Sequence, residues 1–172
     1  KVTSTSDLTD GTYLIVNEAS NRAFNGNDEV NGYVTVSISN GEIADPNGAA
    51  ILEIKSMTGG YSLEITNGEN ANRFIYGKSG SNTIEYGNEA VANEITISDG
   101  AATILSNSTS FRYNATANQD RFRYYKTTTT GASYILPALY KKQEATFSNY
   151  CTFIPAEVTI TAAKYATLGL PY

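Results

Sequence analysis

Three stretches of the chain carry the same alternation of apolar and polar positions. Each follows a turn glycine, Gly11, Gly60 or Gly100, and reads Tyr13-x-Ile15-x-Asn17, Leu63-x-Ile65-x-Asn67 and Thr103-x-Leu105-x-Asn107. A period of two sends successive side chains to opposite faces, so each run predicts a strand with one buried face. Each run ends in Asn and enters a small polar loop. Beyond that loop comes an Arg beside an apolar or aromatic residue: Arg22-Ala23-Phe24, Arg73-Phe74-Ile75 and Phe111-Arg112-Tyr113. Further strand-like runs flank these phrases. "AAILEIKSM" and "NEITIS" precede the second and third glycines, and "YVTVSI", "NTIEYG" and "RFRYYK" follow the three Arg elements. One unit therefore reads strand, Gly turn, strand, Asn loop, strand, loop, strand.

The three Asn lie 50 and then 40 residues apart, a period that calls for a repeat architecture. Three units of short antiparallel strands predict an all-β fold, a β-trefoil in which a closed barrel is capped by three hairpins. A two-sheet β-sandwich is the alternative that the same strand lengths permit. "SYILPALYKK" resembles the strand that opens the second and third units. It is expected to pair with Tyr13 to Val16 and leave no open edge, although Pro137 inside it suits an edge or a bulge. "KVTSTS" reads as a partly redundant leader. "NGNDEVNG" and "ADPNGAA" read as loops. The threefold domain is placed at residues 1–142, a linker or strap at 143–157, and the start of a following β domain, or an extra strand pair, at 158–172.

Composition supports strands and turns over helices. The 17 Asn, 21 Thr and 15 Ser supply a polar surface suited to pleated strands and tight turns. Net charge is −5, and no run of Lys or Arg exceeds Lys141–Lys142. That weighs against nucleic acid or an anionic membrane as partner. No segment has the apolar length of a transmembrane helix. Cys151 is the single cysteine, so no disulfide forms within the chain. The chain begins at Lys1 without an initiator Met or apolar leader, which reads as a processed or trimmed product.

"DLTDGTYLIVNE", "RFRYYK", "ALYKK" and "VTITAAKYATLGLPY" resemble accessory β-rich modules of large secreted or surface-attached proteins from Bacteroidetes-type bacteria. The resemblance implies an extracellular or cell-surface, non-catalytic module with neighbouring domains in the same parent chain.

The chemistry that the residues allow is narrow. The sequence has no His, which excludes Ser-His-Asp and Cys-His arrangements and His-containing metal sites. One Cys excludes zinc fingers and iron–sulfur clusters. "GKSGS" lacks the spacing of a phosphate loop. A two-carboxylate glycosidase pair is not marked by any spacing of Asp and Glu, so no enzyme activity, cofactor or metal is expected. Asn25, Asn27, Asp28 and Glu29 have the oxygen ligands of a calcium loop without its EF-hand pattern. They read as a solvated turn.

A carbohydrate is the expected ligand. Sugar sites combine an aromatic face with amide and charged groups, and without Trp the 13 Tyr must supply that face. In "RFRYY" alternation puts Arg121, Arg123 and Tyr125 on one face, with Phe122 and Tyr124 on the core face. The third-unit candidates are Arg112, Asn114, Arg123 and Tyr125, beside Asn118 and Gln119; the matching second-unit place holds Arg73, Tyr76 and Tyr86. The bland reading is that each strand-entry Arg stacks on its neighbour and satisfies loop carbonyls. On that reading the domain is a structural spacer or protein-contact module without a small ligand.

Overall fold

The computed structural model describes residues 1–143; the strap beyond Gln143 and the following-domain reading for 158–172 lie outside the described residues. Thirteen strands form there: Gly11–Asn17 (β1), Arg22–Phe24 (β2), Tyr33–Thr35 (β3), Leu52–Met57 (β4), Gly60–Ile65 (β5), Arg73–Gly77 (β6), Ile84–Gly87 (β7), Glu94–Ser98 (β8), Ala101–Ser106 (β9), Thr109–Asn114 (β10), Arg121–Lys126 (β11), Tyr134–Ile135 (β12) and Ala138–Lys141 (β13). Helix is limited to two three-residue 3-10 turns, Thr5–Asp7 and Glu18–Ser20. The fold is all-β, as the alternation requires.

The turns that join these strands follow from local chemistry. Asp99 and Gly100 form a two-residue loop with φ of 51° and 78°, and Asn107 and Ser108 form another with 47° and 61°. Two positive φ values mark the hairpin turn whose twist matches that of the strands. Asn and Asp tolerate this left-handed region better than other side chains do.

The strands make two antiparallel sheets. One runs β3-β2-β1-β4-β5-β6-β7 with β13 also on β1; the other runs β11-β10-β9-β8 with β12 on β10. This corrects the expectation of a single closed barrel ladder and matches the two-sheet alternative. Two narrow joins explain the interruption. Between β5 and β8 there is only the bridge of Tyr61 with Asn93. Between β9 and β13, Ala102 N–H donates to the Pro137 carbonyl at 2.7 Å, and Pro137, with no N–H, returns nothing. The closing strand lies where expected: Tyr13, Leu14, Ile15 and Val16 pair with Lys141, Tyr140, Leu139 and Ala138. The leader contributes more than expected, since Val2 is buried and its N–H donates to the Leu139 carbonyl at 2.9 Å.

Alternate side chains of the three repeated strands enter one core, as expected at Tyr13, Ile15, Leu63 and Ile65, but the third run is corrected by one residue: Ala102 and Ile104 point inward, and Thr103 and Leu105 are only half-buried on the other face. Tyr13, Ile15, Leu63, Ile65, Ala102 and Ile104 join Phe24, Phe111, Phe122 and Tyr124 there. Phe111 meets Phe24 edge-to-face at 5.4 Å and Tyr124 at 4.9 Å, a preferred aromatic geometry. Each such fully buried large side chain contributes about 2 kcal/mol. A second cluster forms where Val36, Ile38, Ile43 and Ala49 pack with Val16, Ala23, Ala138 and Tyr140. The segment between β3 and β4 thus has its own apolar reason to stay folded.

Candidate functional site

The third-unit candidates are brought together, but not as a solvent-facing platform. Alternation along β11 holds through Tyr124 and then fails, because Tyr125 is also buried, at 4% exposed. The cause is β12: it pairs with β10 and sets Tyr134 edge-to-face on Tyr125 at 4.8 Å. The Tyr125 hydroxyl is buried without a hydrogen bond of acceptable geometry. Burial first, opposed by the nearby Asn114 amide and Arg123, raises its pKa. Asn114 is buried too, and its side-chain oxygen accepts from Thr116 N–H at 3.0 Å. Arg112 donates to the Ser110 hydroxyl at 3.2 Å and to the Thr129 carbonyl at 3.0 Å. These side chains hold loops.

Arg123 takes part in a long-range clasp. Its Nε donates to the Asp28 carboxylate, and its Nη2 donates to the Asp28 carbonyl at 3.0 Å. The same carboxylate accepts from Ile84 N–H at 2.9 Å and from the Thr83 hydroxyl at 3.0 Å. Asp28 therefore ties the first unit to the second and third. The expectation of a solvated turn at Asn25, Asn27, Asp28 and Glu29 is corrected at Asp28, which turns inward onto its neighbours, while Glu29 is exposed. Asn31 N–H donates to the Asp120 carbonyl at 2.8 Å, and the Asn70 amide donates to the Gly26 carbonyl at 2.8 Å.

A second clasp lies beside it. Arg22 donates to Asp120 and to the Tyr113 hydroxyl, and its guanidinium sits 4.0 Å over the Tyr33 ring. Burial opposes ionisation of Asp120, but its own backbone amide, Tyr33 and Arg22 outweigh that and hold its pKa below the ordinary value. Arg22 thus has the stacking half of the structural use described above, and Arg112 the loop-carbonyl half. Arg73 is exposed and donates to Asn88. Tyr76 is half-buried, with its ring beside Gly87. The Tyr86 hydroxyl is buried without a partner, and burial, with Asp28 next, raises its pKa strongly. The second-unit residues share the β6–β7 hairpin but present no common open aromatic face.

The three repeated Asn differ in a way that alternation does not reveal. Asn67 accepts from Ile51 N–H at 2.6 Å and donates to the Ala49 carbonyl at 3.0 Å. Asn107 donates to the Gly77 carbonyl at 2.7 Å. Asn17 is 2% exposed, and its oxygen accepts from Ser20 N–H at 3.0 Å. Its amide nitrogen has no partner among the described residues.

Asn17 lines a cavity of about 310 Å³ with Lys1, Glu18, Asp99, Leu136 and Pro137. Glu18 pairs with Lys1 and accepts from the Tyr140 hydroxyl. Burial acts against its ionisation, yet Lys1 and Tyr140 prevail and lower its pKa. One wall is aliphatic and the rest offers a donor and two carboxylates. The signal in the sequence was the Asn repeat itself; which amide stays open depends on loop carbonyls that only the fold supplies.

No family model, curated protein or solved structure matches the chain. Among the described residues no helix is long and apolar enough to cross a membrane.

Proposed function

We propose that this domain is a non-catalytic, carbohydrate-binding module of a larger secreted or surface-attached bacterial protein, with its ligand held in the Asn17 cavity. The observation that carries the reading is the one repeated Asn whose amide nitrogen has no loop carbonyl among the described residues and which lines a cavity. That nitrogen makes no hydrogen bond among the described residues, so it is available to donate to a ligand hydroxyl in the cavity. Neighbouring sugar hydroxyls need a donor and acceptors together, and Asn17, Glu18 and Asp99 provide them. Leu136 and Pro137 offer contact for ring C–H groups.

The extracellular, bacterial setting and the neighbouring domains rest on the phrases quoted above. We propose further that the two sheets are the parts of a β-trefoil. The Tyr61–Asn93 bridge and the Ala102–Pro137 bond connect what would be the barrel strands, and the β2–β3, β6–β7 and β10–β11 hairpins recur in the three units. An experimental structure with no threefold relation among those hairpins would remove the trefoil reading.

A spacer function is the second reading. It is favoured by the commitment of Arg22, Arg112 and Arg123 to internal bonds. A glycan array and polysaccharide pull-down separate the two. Asn17→Asp keeps an oxygen for Ser20 and removes the free donor, so it should abolish binding in a folded protein. Tyr125→Phe should leave binding intact. No glycan bound by folded wild type would favour the spacer.

A further inference from the structure

The sequence contains five Asn-Gly pairs, at Asn25, Asn31, Asn40, Asn47 and Asn67. Such pairs share one spontaneous reaction. The backbone nitrogen of the glycine attacks the side-chain amide carbon of the Asn, a C–N bond forms, and ammonia leaves. Water then opens the resulting five-membered imide at either carbonyl, giving aspartate or its backbone-rerouted isomer, isoaspartate. The net change is one water consumed and one ammonia released. Glycine permits the attack because no Cβ hinders the turn of the backbone. What the fold controls is whether the amide and the nitrogen are free to meet.

Four of the five pairs are restrained. The Asn25 oxygen accepts from Asn27 N–H at 3.2 Å, and Gly26 is buried. The Asn31 oxygen accepts from the Tyr33 hydroxyl at 3.3 Å, while the attacking nitrogen of Gly32 already donates to the Glu29 carbonyl at 2.9 Å. Asn47 donates to the Thr35 carbonyl at 2.7 Å. Asn67 is held at both ends of its amide. Asn40 differs in its hydrogen bonding. Both Asn40 and Gly41 are exposed, as Asn47 and Gly48 are, and the one bond at the pair among the described residues is that of the Gly41 carbonyl, which accepts from the N-terminal ammonium of Lys1 at 3.4 Å. Among the described residues the Asn40 amide and the Gly41 N–H make no hydrogen bond. The pair forms the tip of a small hairpin closed by Ser39 and Glu42, with φ of 52° and 74°.

From this contrast we infer that Asn40 is a self-modification site, the position at which the folded chain preferentially forms aspartate and isoaspartate. The location gives the change a structural consequence. Ile38 and Ile43 flank the hairpin and pack on the second apolar cluster. Isoaspartate inserts an extra backbone carbon at the tip, so the Ser39–Glu42 bridge loses its register and those two side chains lose their seat.

The test is a timed incubation of the intact chain in mildly alkaline buffer, native and in urea, followed by peptide mapping and isoaspartate-specific methylation. In the folded chain Asn40 should lose its amide several-fold faster than each of the other four. In urea the five should converge. A folded chain in which another Asn-Gly pair converts first overturns the inference. So does an Asn40 that converts in urea but no faster than the restrained four when folded. Limited proteolysis of the aged chain should then show new cleavage within residues 36–49, and Asn40→Asp, which has a normal backbone, should not.

Discussion

Replacing Asp28 with Ala removes the acceptor on which three units converge. The lost contacts are the Arg123 Nε bond, the Ile84 N–H at 2.9 Å and the Thr83 hydroxyl at 3.0 Å. Thr83 loses least, because it also reaches the Ile84 carbonyl at 3.4 Å. The side chains of Arg123 and Asp28 are 22% and 16% exposed. Exposed pairs contribute up to about 1 kcal/mol, whereas breaking a buried one costs about 3–5 kcal/mol. The Ile84 amide, left without its charged acceptor, adds about 1 kcal/mol. A total near 3 kcal/mol follows from a pair lying between those limits. For a domain of this size that lowers Tm by about 9 °C. Urea unfolding followed by tyrosine fluorescence and circular dichroism measures the loss. A cycle of Asp28→Ala and Arg123→Met isolates the pair itself, with an expected coupling of about 1–2 kcal/mol. A loss below about 0.5 kcal/mol, the scale of ordinary surface substitutions, would refute the clasp as a source of stability.

Other expectations follow from the same contacts. Asn93 is fully buried, accepting from the Tyr124 hydroxyl at 2.6 Å and donating to the Ile75 carbonyl at 3.2 Å; Asn93→Leu should cost about 3 kcal/mol by leaving both unpaired, measured by urea unfolding. Tyr86→Phe should be neutral or stabilise by about 1 kcal/mol, since the hydroxyl it removes is buried and unpaired; a loss of that size would mean that a bound water satisfies it. Glu18 and Asp120 have folded-state pKa values below their ordinary ones. Their contribution is therefore present above the unfolded carboxylate range, near pH 4, and is lost as pH falls through the folded values. Tyr124 and Tyr140 are raised by burial, in Tyr140 with Glu18 adding to it. Their contribution is complete below about pH 10 and falls above it, as the unfolded tyrosines ionise first. A Tm profile against pH should be flat between these limits; a steep slope across neutrality would contradict both assignments.

The strands were legible in the chain because their determinants are local. The Gly11, Gly60 and Gly100 phrases became β1, β5 and β9, the third with Ala102 and Ile104 inward instead of Thr103 and Leu105, and the partner of Tyr13 to Val16 could be named from its likeness to other opening strands. The sites were less legible, for two physical reasons. Alternation assigns a side chain to a face but says nothing about what covers that face, and Tyr125 is buried by Tyr134, a residue on a two-residue strand without any periodicity. Asp28 sits in a polar loop that resembles a solvated turn. Its partners are Thr83 and Arg123, far away in sequence, and no local pattern encodes them. The expected closed barrel gives way to two sheets in part at Pro137, an edge or bulge signal in the sequence, where β12 ends before β13 begins.

The most direct test of the proposed function is a nuclear magnetic resonance titration of the labelled chain with oligosaccharides selected from the array. Binding at the cavity predicts shifts at the Asn17 side-chain amide and at the backbone amides of Glu18, Gly100 and Leu136, all abolished in Asn17→Asp. Shifts centred on β10 and β11, or none with any glycan, would contradict it.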